Sequence, residues 1–142
     1  EEKSLGCIRK GGSRPIVEVL EEAERPTKKG AIIMDTPGYD IASVTSMVAG
    51  GCSLVVFTTG RGTPTGNAIA PVIKITGNKI TYEKMHDNID IDVSDITEGL
   101  KTPKEMSEVL LDELIKVCNG KVTKAEAFGF SDIAIDHICR FV

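Results

Sequence analysis

A polar segment that follows a short apolar run carries the residues best suited to chemistry. Residues 54–57 are apolar and predict a buried strand, and residues 58–67 (TTGRGTPTGN) come directly after it. Glycines let a backbone approach a ligand, while hydroxyl groups and a guanidinium donate hydrogen bonds to oxygen-rich groups. This polar loop (residues 58–67) therefore predicts a binding site at a strand end, with an anionic or polyhydroxylated small molecule as its ligand.

Four side chains of the polar loop are our candidates for substrate binding: Thr58, Thr59, Arg61 and Thr63. Arg61 stands between two glycines, which lets the chain fold tightly around whatever the guanidinium holds. One interpretation is a bidentate clamp on a substrate carboxylate. The other is an ion pair with an internal Asp or Glu across a domain interface, and the spacing is compatible with both.

Asp35 and His86 are the candidates for metal binding or proton transfer. Asp35 follows the apolar residues 31–34 and precedes a Pro-Gly turn, where a carboxylate can act as a base, a metal ligand or an acceptor that stabilises the turn. His86 adjoins an acidic segment that is more simply interpreted as a solvated loop. Neither His86 nor His137 has a partner at metal-ligand spacing, so the residues assign no complete metal site and no catalytic base.

Composition excludes several classes of function. The chain has 142 residues, 41% of them hydrophobic, which predicts one domain with an aliphatic core. A net charge of -4 argues against a nucleic-acid partner, and no apolar run approaches the roughly 20 residues that cross a bilayer. The chain has neither a GxxxxGK[ST] loop nor a GxGxxG pattern, which argues against a nucleotide. The widely spaced cysteines predict reduced thiols in a cytosolic protein: Cys7, Cys52, Cys118 and Cys139.

The alternation of apolar runs and breakers predicts an α/β fold. Strands are expected at residues 15–20, 31–34, 53–57 and 72–76, and helices at residues 1–10, 40–48, 103–118 and 123–128. Asp40 and Thr102 are the predicted N-caps of two of these helices. Residues 80–85 are equally compatible with a strand and a helix.

The strand–helix–strand order of residues 31–57 predicts a βαβ unit with two parallel strands and a right-handed crossover. Because both strands are continuously apolar, helices should cover both faces of the sheet. We therefore expect a small, mostly parallel sheet with flanking helices, in a Rossmann-like three-layer arrangement. Ligands of such sheets bind beyond the carboxyl ends of the strands, so residues 35–40 should face the polar loop.

A long segment of this chain resembles a known enzyme family. Residues 33–78, IMDTPGYDIASVTSMVAGGCSLVVFTTGRGTPTGNAIAPVIKITGN, look like the C-terminal region of the altronate/galactarate dehydratase family. Residues 2–6 and 24–30 resemble that family too, whereas the similarity fades after about residue 88. The resemblance implies a cytoplasmic hydro-lyase that removes water from a sugar acid to give a 2-keto-3-deoxy acid. It also implies dependence on a divalent metal, typically iron(II).

The same resemblance implies that residues 1–142 are the C-terminal domain of a longer protein. The implied partners are the sugar-acid substrate, the upstream domains and, in a homo-oligomer, further copies of the chain. The sequences of residues 58–67 and 71–78 look closer to those of the altronate branch, so D-altronate is the favoured substrate and galactarate the next. Two alternatives stay open, namely a non-catalytic scaffold for assembly and the related sulfolactate sulfo-lyase branch, which eliminates sulfite.

Overall fold

The computed structural model describes the backbone of residues 2–135 and the side chains of residues 5–135. His137 and Cys139 lie outside the described residues. The elements, in chain order, are α1 (Glu2–Lys10), β1 (Ile16–Leu20), β2 (Ala31–Met34), α2 (Asp40–Ala49), β3 (Val55–Thr58), β4 (Val72–Thr76), α3 (Lys79–Lys84), β5 (Ile91–Asp92), α4 (Ser94–Thr97), α5 (Pro103–Cys118) and α6 (Lys124–Ala127). None of the described helices is both long and apolar enough to cross a membrane.

All of the described strand pairs are parallel, which confirms the predicted α/β class. Strands β1 and β2 pair with each other, and a second sheet has the order β3-β4-β5 with β4 in the centre. The predicted βαβ unit of residues 31–57 does not form within one sheet, because β2 pairs with β1 whereas β3 pairs with β4. The crossover between β3 and β4 is consequently made by residues 59–71, which include most of the polar loop. A connection between parallel strands needs about a dozen residues, and residues 59–71 supply that length without a helix.

Among the strands of the described residues, β4 alone is buried along its whole length. Val72 packs with Val44 and Val48 of α2 on one face of the sheet, and Ile73 and Ile75 pack with residues of α5 on the other. Successive side chains of a strand point to opposite faces, so the apolar side chains of this one strand serve two separate core clusters. Each buried aliphatic side chain contributes about 1.5–3 kcal/mol to folding.

Helices on both faces give the sheet β3-β4-β5 the predicted three layers, but the expected coverage of β2 and β3 is incomplete. Ile33 of β2 keeps 45% of its surface exposed and Val56 of β3 keeps 39%. Of the described strands, β4 is the fully covered one, although its sequence includes Lys74 and Thr76. In β2 and β3, a continuous apolar run leaves apolar side chains at the surface of the described residues.

Hydrogen bonds at the helix starts confirm one predicted cap and correct another. Thr102 accepts from the backbone N–H of Glu105, whose side chain in turn accepts from the backbone of Thr102, so α5 begins with a capping box. The N-cap of α2 is Tyr39, and Asp40 is the first helical residue, where a carboxylate still interacts favourably with the helix dipole. Residues 80–85 are mostly helical, because the Asn78 side chain accepts from the N–H of Thr81 and begins α3.

Candidate functional site

The polar loop and the start of α2 line one cavity. Its volume is about 420 Å³, and its lining residues are Gly38, Tyr39, Asp40, Ile41, Thr63, Pro64 and Thr65. As predicted, the segment that follows β2 faces the segment that follows β3. No side chain caps the N-terminus of α2 at Tyr39. The first-turn N–H groups and the Asp40 carboxylate therefore lie on one side of the cavity, where the negative charge of Asp40 offsets the partial positive charge of the N–H groups. The turn of residues 63–65 forms the other side.

Only one of the four predicted substrate-binding residues lines this cavity. Thr63 is a lining residue, whereas Thr58, Thr59 and Arg61 are not. Thr58 ends β3 at the surface, and the Thr59 hydroxyl oxygen accepts a hydrogen bond from the N–H of Gly62 at 3.0 Å. Arg61 is exposed, and no carboxylate within the described residues pairs with its guanidinium. The assignment of these four residues to substrate binding stays a prediction.

Two buried hydroxyl groups shape the cavity wall formed by residues 63–65. Thr63 and Thr65 are only 5% and 3% exposed, and their hydroxyl oxygens lie 2.7 Å apart. A hydrogen bond between two hydroxyl groups uses one of their two protons. The second proton can be donated elsewhere, so the pair carries a donor beside the cavity.

The glycines of the polar loop serve packing inside the protein. Gly62 has a positive φ of 86°, and a Cβ atom there would overlap the Met85 sulfur. A Cβ atom at Gly66 would overlap the carbonyl oxygen of Phe130 and lie 3.0 Å from the Cβ of Ala125. Our interpretation that these glycines let a ligand approach is therefore wrong for both positions. They let the loop backbone lie directly against α3 and the segment after α6.

Hydrogen bonds attach the start of the polar loop to the start of α3 and close a local turn at its end. At its start, the Gly60 carbonyl accepts from the Thr81 hydroxyl at 2.8 Å and from the Asn78 side-chain amide at 3.3 Å. At its end, the buried Asn67 side chain accepts from the N–H groups of Ile69 and Ala70. The loop consequently has a defined shape in which Thr63 to Thr65 face the cavity.

Lys74, which the sequence reasoning missed, holds the middle of the polar loop from inside. It lies at the centre of β4 with none of its surface exposed. Its ammonium group donates to the carbonyl oxygens of Thr65 at 3.0 Å and Pro64 at 3.4 Å. The available signal was a single lysine inside an otherwise apolar strand, Val72–Thr76, since a buried charge requires partners.

Charged groups behind the cavity wall set the proton affinity of Lys74. Burial lowers the pKa of its ammonium group below the ordinary value of 10.5; Asp90 opposes this effect, and Lys124 adds to it. The Asp90 carboxylate accepts from the backbone N–H groups of Lys74 at 2.7 Å and Lys124 at 2.9 Å. Asp90 thus ties β4 to the start of α6, close to the loop that Lys74 holds.

The two metal candidates do not lie at the cavity. Asp35 is an exposed residue after β2 whose N–H donates to the Leu20 carbonyl at 2.9 Å. The His86 side chain is 64% exposed and its Nε2 lies 3.1 Å from an Asp87 carboxylate oxygen, as expected for a solvated acidic loop. Within the described residues, no three His, Cys, Asp or Glu side chains are close enough together to hold a metal ion. This part of the chain therefore does not form a metal site by itself.

Comparison with known proteins finds sugar-acid dehydratases and a sulfo-lyase. Residues 1–140 match the family model described as D-galactarate/altronate dehydratase, C-terminal. The chain is 36% identical to altronate dehydratase of Escherichia coli over 95% of its length and 27% of the relative's. It is 42% identical to galactarate dehydratase (L-threo-forming) of the same organism, over 84% of the chain and 23% of the relative.

A third relative is the (2R)-sulfolactate sulfo-lyase subunit beta of Chromohalobacter salexigens. The identity is 38%, over 97% of the chain and 36% of the relative. The chain thus spans between 23% and 36% of the length of these three relatives.

Gly66 and Gly60 provide a matched test of packing in the polar loop. We expect Gly66→Ala to destabilise the protein by about 2 kcal/mol or more, because the Phe130 backbone must move to admit the methyl group. Gly60→Ala should change stability by less than about 1 kcal/mol, because a Cβ atom there meets nothing within 4 Å. Thermal unfolding of both variants checks this, and equal losses would contradict it.

The lowered pKa of Lys74 predicts a pH-dependent contribution to stability. The unfolded chain keeps this proton up to about pH 10.5, whereas the folded protein releases it at lower pH. Because the unfolded state binds more protons between these two pKa values, stability should rise with pH in that window. The difference in unfolding midpoint between the wild-type protein and Lys74→Met should therefore shift in favour of wild type as pH approaches 10.5. A difference in unfolding midpoint that is constant with pH would contradict the lowered pKa of Lys74.

Proposed function

We propose that this chain, which belongs to the D-galactarate/altronate dehydratase family as a C-terminal domain, forms one wall of the active site of a sugar-acid dehydratase. The observation that carries the proposal is the cavity between the start of α2 and the turn of residues 63–65. A sugar acid combines a carboxylate with several hydroxyl groups. The first-turn N–H groups on one side and the hydroxyl pair on the other can donate hydrogen bonds to such a ligand, and Asp40 on the helix side can accept from its hydroxyl groups.

The proposed reaction is the loss of water from a 2,3-dihydroxy acid to give a 2-keto-3-deoxy acid. A base removes the proton next to the carboxylate, the resulting enediolate needs electrostatic stabilisation, and an acid assists the departure of the 3-hydroxyl group. Among the residues of this chain, Thr63 would contact substrate in the cavity, and Thr58, Thr59 and Arg61 would contact it at the exposed edge of the loop. The base is not assigned to any of them.

A divalent metal, with iron(II) as our preference, belongs to the proposal for the whole protein. The described residues offer no cluster of three ligands, so we assign the metal mainly to residues upstream of this chain. Asp35 and His86 remain the candidates for an additional ligand from this chain. The proposed location of the enzyme is the cytoplasm.

The proposed substrate is D-altronate, with galactarate as the second choice. Relatives named for altronate, galactarate and sulfolactate have similar identities to the chain, between 36% and 42%. These similarities support a lyase of this group without separating its substrates. The preference for altronate rests only on the sequences of residues 58–67 and 71–78, which resemble the altronate branch.

A second candidate function is a scaffold that joins the catalytic parts of the enzyme. Val19 and Ile33 are direct partners in the β1–β2 ladder, so their side chains lie side by side on one face of this sheet. They are 72% and 45% exposed, which leaves a small apolar strip without a cover within the described residues. Such a strip favours a contact with upstream domains or with a second copy of the chain.

An assay of the full-length protein tests the proposed reaction. With iron(II) present, we expect the protein to convert D-altronate into 2-keto-3-deoxygluconate. Galactarate is assayed in parallel as the second candidate substrate. Release of sulfite from sulfolactate would instead assign the protein to the sulfo-lyase branch. A protein that dehydrates no hexonate or hexarate would contradict the proposal.

Replacement of Arg61 distinguishes the binding role of the polar loop from the scaffold role. If Arg61 clamps the substrate carboxylate, Arg61→Ala in the full-length enzyme should lower kcat/KM roughly tenfold to a hundredfold, as expected for lost charged hydrogen bonds. The oligomer should keep its size. Arg25→Ala, at an exposed arginine outside the polar loop, is the matched control. Dissociation of the Arg61→Ala oligomer at unchanged specific activity would support the scaffold.

A further inference from the structure

We infer that Lys74 is a positioning residue for the cavity wall formed by residues 63–65, and that it keeps two backbone carbonyl groups away from an acidic ligand. The ammonium group donates to the carbonyl oxygens of Thr65 and Pro64, at 3.0 and 3.4 Å. Both carbonyls belong to residues that line the cavity. The link between β4 and the candidate site is therefore direct.

Burial of Lys74 determines the direction of these carbonyl groups. The side chain has none of its surface exposed, so a carbonyl oxygen that accepts from its ammonium group must point into the protein. Carbonyl oxygens carry partial negative charge, and they would repel a carboxylate if they turned into the cavity. By binding two of them on the protein side, Lys74 keeps their partial negative charge away from that side of the cavity.

The choice of lysine is informative because an apolar side chain would fill the centre of β4 at lower cost. An ammonium group loses its hydration on burial, and the hydrogen bonds and nearby charges must offset this loss. Here the offset comes from the two loop carbonyls and from Asp90. A purely structural position in this strand would be served by valine or isoleucine, as at Val72, Ile73 and Ile75.

Lys74 cannot act on the substrate itself. Because its side chain is enclosed by the protein, it acts only through the conformation of residues 63–65. The inference rests on the proposed function for the identity of the ligand, a carboxylate-bearing sugar acid. The conformational part of the inference holds for the loop regardless of the ligand.

The test compares Lys74→Met, Lys74→Arg and the control Lys116→Met in the full-length protein. Lys116 is exposed on α5 and pairs with Asp112 at the surface. Amide hydrogen exchange of residues 60–67 should be at least about tenfold faster in Lys74→Met than in wild type, as expected when a buried anchor is lost. It should be unchanged in Lys116→Met, and Lys74→Arg, which keeps a charged donor, should restore part of the protection.

Kinetics on the sugar acid provide the second readout. We expect Lys74→Met to raise KM about tenfold or more, with a smaller effect on kcat, and Lys74→Arg to recover part of the loss. A folded Lys74→Met protein with wild-type exchange in residues 60–67 and wild-type KM would overturn the inference. If Lys74→Met does not fold, hydrogen exchange and KM are measured in Lys74→Arg instead. In that variant, wild-type exchange of residues 60–67 together with a KM raised more than about tenfold would overturn the inference.

The hydrogen-exchange arm separates failure of this inference from failure of the proposed function. A protein without activity on any sugar acid would contradict the proposed function. Faster exchange confined to residues 60–67 in Lys74→Met would still support the positioning role in that case. Unchanged exchange in an active enzyme would overturn the positioning role while leaving the proposed function intact.

Discussion

The burial of β4 on both faces is the constraint on which the rest of this structure depends. One face of Val72–Thr76 packs against α2, and the other packs against α5. Any charged residue in such a strand must find its partners inside the protein, because water does not reach it. Lys74 finds them in the carbonyl groups of the polar loop and in the nearby Asp90. The same strand thus organises the core and fixes the wall of the candidate site.

The candidate site is built from a crossover connection rather than from a loop appended to the fold. Because β3 and β4 are parallel neighbours, the chain must travel the length of the sheet between them. Residues 59–71 make this connection without a helix, and Gly62 and Gly66 let its backbone lie against α3 and the segment after α6. A connection packed in this way has little freedom, which suits residues that must hold a ligand in one orientation.

The cavity and the exposed apolar strip give this chain two contrasting surfaces. The cavity lies between the first turn of α2, which carries Asp40, and the turn that carries Thr63 and Thr65. The strip of Val19 and Ile33 is suited to another protein surface. The described residues lack a cluster of metal ligands, and the relatives are roughly three to four times longer than this chain. Our proposal, a domain that supplies one wall of a composite active site, is compatible with both surfaces.

The sequence by itself determined the local features, because they depend on residues close together in the chain. Three features could be found in this way: the strand Val72–Thr76, the capping box at Thr102 and the family-like segment of residues 33–78. It also predicted that residues 35–40 face the polar loop, and they do so although β2 and β3 belong to different sheets. Only the tertiary structure decided that β3 pairs with β4, because strand partners are chosen by packing between distant segments. It alone showed that Gly62 and Gly66 face protein, and that Lys74 holds residues 63–65 from inside the core. The same residue types serve a ligand or a neighbouring backbone equally well, so their role is set by what the folded chain places beside them.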